Sequence, residues 1–340
     1  MGTDERVDRG PARPGCAVIG EALLDLVQPE PGRPYVAHPG GGPLNIAVGL
    51  QRLGHGTHLL ARLSTGPLGE TLRRYAEASG LDVSACVRTD EQATLAFATV
   101  DDEQQASYDF YVQGTADWGW TDDELSRLPA VAQVLHTGSL ATVLAPGAAA
   151  LARLFARLHG EGQRLLSFDP NVRPALAGDR AAAVDQVEAF VASAHVVKAS
   201  DEDLSWLYPE HDLDELLDYW VTLGPSLVVI TSGADGCQAV TASGDRIVVA
   251  GEPVAVVDTI GAGDAFEAGL LSGLVDAGLA TPSALSTISP EVAVAVLRRA
   301  TLVAALTCQR PGADPPSRGE YAAVAGSGSS RDPWLAARSR

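Results

Sequence analysis

Asp258-Thr-Ile-Gly-Ala-Gly-Asp-Ala-Phe266 sets three small residues and a carboxylate between two apolar stretches. The run Val254-Ala-Val-Val257 reads as a strand. A helix is expected from about Gly263 through Phe266, Leu270, Leu271 and Leu274, a spacing that makes one buried face. The first N–H groups of such a helix lack intrahelical partners and carry the positive end of its dipole, so they suit an anion. Gly261, Ala262 and Gly263 leave that end open. Asp264 then stands beside a phosphate-sized hole, placed to accept a proton from a hydroxyl that attacks a phosphoryl group. The plainer reading is a tight turn at Gly261 and Gly263 with Asp264 complementing the dipole.

The elements that must hold this motif alternate. Cys16-Ala-Val-Ile19 is a short buried strand ending at Gly20-Glu21, and Asp25 follows where the next strand begins. Gly40-Gly-Gly-Pro-Leu-Asn45 leads into a helix through Leu53 with Asn45 at the position of an N-cap. Leu59 to Leu63 reads as one strand and Leu68 to Ser79 as a helix. Between Thr94 and Val112 the pattern becomes alternating, with a polar turn at Asp101-Asp-Glu-Gln-Gln105, which predicts an antiparallel hairpin and a small accessory sheet able to act as a lid.

Beyond it, strands at 134–138, 164–169, 195–198 and 226–231 alternate with helices at 145–159, 184–193 and from 199. A hairpin at 237–249 precedes the central motif, and a final helix spans 290–307. Repeated β-then-α units predict an α/β fold, a mostly parallel sheet covered on both faces, with ligands at the carboxyl ends of the strands. Asp169, Asn171, Arg173, Ser200, Thr231, Gly233 and Asp264 should therefore share one edge. The expected organisation is one domain over 15–325, with lid segments near 26–38 and 94–112 and disordered tails at 1–14 and 326–340.

Composition narrows the ligand. With 43 acidic against 24 basic residues the formal charge is −19, which repels nucleic acid and anionic membrane and favours a small-molecule partner. Cys16, Cys86, Cys237 and Cys308 are widely spaced with no CxxC pair, so reduced thiols are expected rather than zinc or disulfides. No leader pattern or membrane-length apolar run occurs, and the chain reads as cytoplasmic. His38, His136 and His195 are unclustered and read as structural. Trp118 and Trp120 read as packing at the base of the hairpin, and Asp122-Asp-Glu124 as a helix start after Thr121. A Walker loop is absent, and Lys198 lies at a strand end without one.

Taken together, these residues resemble the PfkB or ribokinase-like sugar kinases from Gly20-Glu21 to Gly312-Ala313, and most of all the bacterial fructokinases. The resemblance is carried by Val257 to Phe266, by Gly40-Gly-Gly-Pro-Leu-Asn45 through Gly54, by Phe168-Asp-Pro-Asn-Val-Arg-Pro174 and by Gly20-Glu-Ala-Leu-Leu-Asp25. It implies a three-layer ribokinase-like fold and ATP- and Mg²⁺-dependent transfer to a sugar hydroxyl. Asp264 would be the general base and Gly261, Ala262 and Gly263 the anion hole. Asp25, Gly40, Gly41 and Asn45 would hold the sugar, and Arg173 would meet phosphate oxygens.

Thr231, Gly233 and Gly236 would flank the nucleotide, with Asp258 and Thr259 beside it, and a monovalent cation such as K⁺ is implied near Asp258. The lid would pair two copies into a homodimer. Where the family shows Asn-x-x-Glu this chain has Ser200-Asp-Glu-Asp203, so Asp203 or Glu202 would serve the metal through water. Pro67 replaces an acid in Thr65-Gly-Pro-Leu-Gly69. Fructose leads among substrates, followed by 2-keto-3-deoxygluconate and then ribose or a nucleoside. A regulator that has lost catalysis is the rival from another class.

Overall fold

The computed structural model describes residues 15–28, 32–100 and 106–326. The turn at 101–105 and the tails at 1–14 and 327–340 fall outside the described residues. The strands in chain order are β1 (Gly15–Ile19), β2 (Leu23–Gln28), β3 (Val36–Gly40), β4 (Thr57–Leu60), β5 (Arg62–Ser64), β6 (Val87–Thr89) and β7 (Leu95–Val100). They continue as β8 (Ala106–Tyr111), β9 (Ala132–Gly138), β10 (Leu165–Asp169), β11 (Val196–Ser200), β12 (Leu227–Thr231), β13 (Cys237–Thr241) and β14 (Arg246–Val249).

Eight of them form the main sheet in the order β14-β13-β12-β11-β10-β9-β1-β4. Pairing is parallel from β4 to β12, and β13 and β14 add an antiparallel edge. The interior strands are near-continuous Val, Leu, Ile and Ala because both faces are covered. Successive residues go to opposite sides. Leu165 and Val196 join the core under the helices Gly42–Arg52, Ala262–Asp276 and Pro290–Cys308, while Leu166 and Val197 join the core under Gly147–Glu161 and Arg180–Ser193.

β3, β2, β7 and β8 make a separate four-stranded sheet, in which β2 pairs antiparallel with β3 and β7 antiparallel with β8. The hairpin expected from alternation at 94–112 is present in this sheet. Asp169 lies level with Gly138, and Ser200 with Thr231, so the carboxyl ends of β9 to β12 share one edge.

Three expectations change. Val254 to Val257 is not a strand: the sheet ends at β14, Val256 and Val257 are 62% and 61% exposed, and the N–H groups of Val257 and Asp258 bond to the carbonyl of Cys308. An apolar run of four residues fits an extended loop as well as a strand, and only a pairing edge decides. Leu59 to Leu63 divides at Ala61 into β4, in the main sheet, and β5, which pairs with β6. A helix at Arg318–Ala325 follows the one expected to be last. Trp118 and Trp120 join the core of Ile19, Leu135 and Phe155, against which Phe110 and Val112 of the hairpin also pack. The capping box at Thr121 and Glu124 is present as expected.

Candidate active site

The helix Ala262–Asp276 opens the site. Its cap, Gly261, has φ +75°, a left-handed geometry that lets the chain turn into the helix. A Cβ there would lie 2.5 Å from Cβ of Ala313, so the turn also fits against the loop after the helix Pro290–Cys308. Ala265 makes the first intrahelical bond, to the carbonyl of Gly261, and Ala262 donates to the carbonyl of Thr259. The outward donors of this end are thus the N–H groups of Gly261, Gly263 and Asp264, the positions that precede the helical ladder.

Asp264 is 8% exposed. Its Oδ2 accepts a hydrogen bond of 2.8 Å from Nδ2 of Asn45. Asn45 was expected as a helix cap, but its helix starts three residues earlier, at Gly42, with Gly41 as cap at φ +106° and Pro43 in the first turn. Pro43 and the glycines before it set the start, which frees the amide of Asn45 to face Asp264. Burial pushes the Asp264 carboxyl above the usual carboxylate range, while the Asn45 bond and the charges of Lys198, Arg173 and His136 pull it back.

Asp25 approaches from β2. Burial first, and then the nearby Asp264, push its carboxyl up to about 6, while Arg173 draws it down. Its Oδ2 occupies the space where a Cβ on Gly40 would sit, 2.0 Å away, so Gly40 is the residue that lets Asp25 turn inward. A Cβ on Gly42 would lie 3.3 Å from Oδ1 of Asp264 and 3.1 Å from Nδ2 of Asn171. Asp25, Gly40, Gly41, Gly42, Asn45, Asn171 and Asp264 therefore converge.

Arg173 is carried by the loop after β10. Its Nη1 donates to Oδ1 of Asn171 at 2.6 Å. Asn171 itself has φ +39° and donates its N–H to Oδ1 of Asp169 at 3.1 Å. Asp203 pins the same loop: its Oδ1 accepts from the Val172 N–H at 2.7 Å and its Oδ2 from the Ser200 N–H at 3.0 Å. Ser200-Asp-Glu-Asp203 is thus a capping box that also ties β11 to the Arg173 loop.

Glu202 is exposed at the same helix start. Among the described residues no three His, Cys, Asp or Glu side chains converge on a cation. A donor set of one or two carboxylates fits a magnesium ion held mainly by substrate phosphates and water.

After β12, Gly233 and Gly236 have φ +50° and +99° and shape the turn to β13 next to Thr231. Asp258 organises the approach to the motif, accepting from the Ile260 N–H at 3.0 Å and the Gly312 N–H at 2.7 Å. Thr259 is exposed beside it. Sequence reasoning passed over Glu21, which is buried, takes the Ala141 N–H at 3.1 Å, and has its carboxyl pushed up to about 7 by burial. Only the Gly-Glu pair at a strand end marked it. It also assigned no role to Lys198, which is 3% exposed on β11.

A sheet edge with an open helix end, a buried carboxylate in its first turn and a facing amide defines a phosphotransferase site of the ribokinase-like fold. Residues 13–318 match the pfkB family carbohydrate kinases, and the chain belongs to that family. It is 35% identical over 258 residues to a fructokinase of Rhizobium leguminosarum bv. trifolii, covering 75% of this chain and 78% of that one.

The structure is similar to that of fructokinase with bound ATP from Xylella fastidiosa, with a TM-score of 0.84 and 27% identity over 92% of this chain and 98% of the other. It also resembles a double mutant of Vibrio cholerae fructokinase with fructose, ADP and potassium ion bound, at a TM-score of 0.77 and 26% identity over 89% and 95% of the two chains. The protein is a phosphotransferase acting on a sugar hydroxyl. The rival reading, a regulator without catalysis, is set aside by this membership together with the intact Asp264 and glycine turn.

Proposed function

We propose that the chain transfers the γ-phosphoryl group of ATP to a hydroxyl of fructose, with Asp264 as the base. The observation that carries this is the bond from Asn45 to Asp264 at an open helix end, which aims one carboxylate oxygen and leaves the other toward Gly42 and Asn171. Asp25 and Asn45 bind the hydroxyls of a neutral sugar, held close by the bare backbone at Gly40 and Gly41. Asp264 takes the proton of the attacking hydroxyl as its bond to phosphorus forms and the bond to the leaving diphosphate breaks.

The N–H groups of Gly261, Gly263 and Asp264, around Ala262, stabilise the charge on the transferring group. Arg173 meets its oxygens with a planar fork held by Asn171. Thr231, Gly233, Gly236, Asp258 and Thr259 line the nucleotide side, with a monovalent cation near Asp258. Glu202 and Asp203 would hold magnesium through water, and that ion would supply neutralisation of phosphate charge.

The small sheet closes over the sugar and excludes water. Its Tyr35, Val36 and Tyr111 are 41%, 48% and 61% exposed, which supports pairing of two copies through this sheet. Four free thiols, and no helix among the described residues long and apolar enough to cross a membrane, support a cytoplasmic setting.

The test is fructose-dependent ADP release. Asp264→Asn is expected to lower kcat by about three orders of magnitude with ATP binding retained. Turnover of that variant at the wild-type rate would remove Asp264 from the role. Asn45→Ala is expected chiefly to raise the KM for the sugar, and unchanged sugar kinetics would make Asn45 a packing residue only.

A further inference from the structure

Lys198 breaks a local rule. It is 3% exposed and sits at the positive end of the helix Ala262–Asp276, where a cation is unfavourable. A Cβ on Gly263 would lie 3.2 Å from its Nζ, so Gly263 is small on the protein side as well as the ligand side. The ammonium is fixed there by Oδ2 of Asp169 at 2.8 Å, and Asp169 is 1% exposed. The other oxygen of Asp169 holds the N–H of Asn171, whose amide oxygen holds Arg173. The ammonium is therefore coupled to the helix end directly and to the Arg173 loop through one carboxylate. A buried ion pair is weak grounds for stability. A helix end that must face both a phosphoryl group and a base gives it a use.

We propose that Lys198 is a positioning residue for phosphoryl transfer, a fixed cation beneath Gly263 that keeps the Asp264 carboxyl ionised and reinforces the anion hole. This rests on the reading of Asp264 as the base. The groups that face Asp264 are Asn45 from its helix, Asp25 from β2, His136 from β9, Arg173 from the loop after β10 and Lys198 from β11. Asp25 opposes ionisation, and Lys198 is the cation set deepest beneath the helix end. Burial pushes the Asp264 carboxyl upward and Lys198 is among the charges that oppose this.

The experiment is the pH dependence of kcat at saturating fructose in the full chain, with Asp264→Asn as the reference for the base. Lys198→Met is expected to move the acidic limb up by about one pH unit, because Asp264 loses a cation. Asp169→Asn is expected to move it down, because the Lys198 ammonium is then no longer offset by a carboxylate at 2.8 Å. A pair that served only as scaffold would move the limb in neither case, and the double variant Lys198→Met/Asp169→Asn would then recover the rate along with the thermal stability. The inference expects that double variant to be as stable as the wild type and still slowed at least 10-fold in kcat.

An unmoved limb in folded Lys198→Met, or an upward move in Asp169→Asn, would overturn it. If Lys198→Met does not fold, Lys198→Gln and Asp169→Asn carry the same opposite signs. Normal turnover by Asp264→Asn would instead sink the reading of the base and this inference with it.

Discussion

On the body side of the site Asp169, Lys198, Asp203 and Asp264 are all less than a tenth exposed, and each has a hydrogen-bond partner fixed by a strand end or a helix start. On the small-sheet side Leu23, Leu24, Gly40, Ala96 and Ala98 are covered, while β3 runs out into solvent and Val36 is 48% exposed. The groups assigned to the chemistry therefore sit on the main sheet and the helix packed on it, and of those assigned to the sugar Asp25 and Gly40 reach it from the small sheet. The contrast fits a division of labour, since bond-making needs placement to a fraction of an ångström and substrate entry needs a part that opens.

The largest effect of breaking this contrast is expected on the body side. Gly261→Ala would strain a left-handed turn and press on Ala313, and should lower kcat about 100-fold with sugar KM little changed. Steady-state kinetics checks it, and a change confined to KM would place the turn on the sugar side. Gly40→Ala should do the reverse, displacing Asp25 and raising the sugar KM about 10-fold with kcat nearly kept.

Acid should act on the same half. An ionised Asp25 is the stronger acceptor for sugar hydroxyls, and its carboxyl is pushed up to about 6, so sugar KM should be flat above that pH and rise below it. Arg173→Ala removes the cation that draws this carboxyl down and should move the break to higher pH. A break that stays put would separate Arg173 from Asp25.

The smallest effect expected lies at the hinge between the two regions. Glu21 is buried there with its carboxyl pushed up to about 7 by burial. A carboxyl raised in the folded state binds its proton more tightly there than when unfolded. Its cost to stability is thus absent below the ordinary value of 4.5, grows as pH rises above it and is complete above about 7. Glu21→Gln, which keeps an acceptor for the Ala141 N–H, should raise stability at pH 8 by about 1 kcal/mol and leave it unchanged near pH 4. Thermal melts at the two pH values check the sign.

Much of this was legible in the sequence because it depended on local pattern. Alternating apolar runs and helical spacing predict the parallel sheet, and short strands ending in Asp169, Ser200 and Thr231 predict the shared edge. What escaped depended on partners far along the chain. Nothing near Asn45 marks it as a partner of a residue 219 positions away rather than a cap. Val254 to Val257 is as apolar as a strand, and only the lack of a neighbouring edge makes it a loop. Lys198 reads as a lone cation at a strand end until the fold lays the glycine turn over it.

The central claim is tested most directly by ADP release from Mg-ATP with fructose, 2-keto-3-deoxygluconate, ribose, tagatose and adenosine as competing acceptors. Fructose is expected to give the highest kcat/KM, with phosphorylated fructose formed in equal amount to ADP. Turnover led by another acceptor, or ADP release that no sugar accelerates, would contradict it.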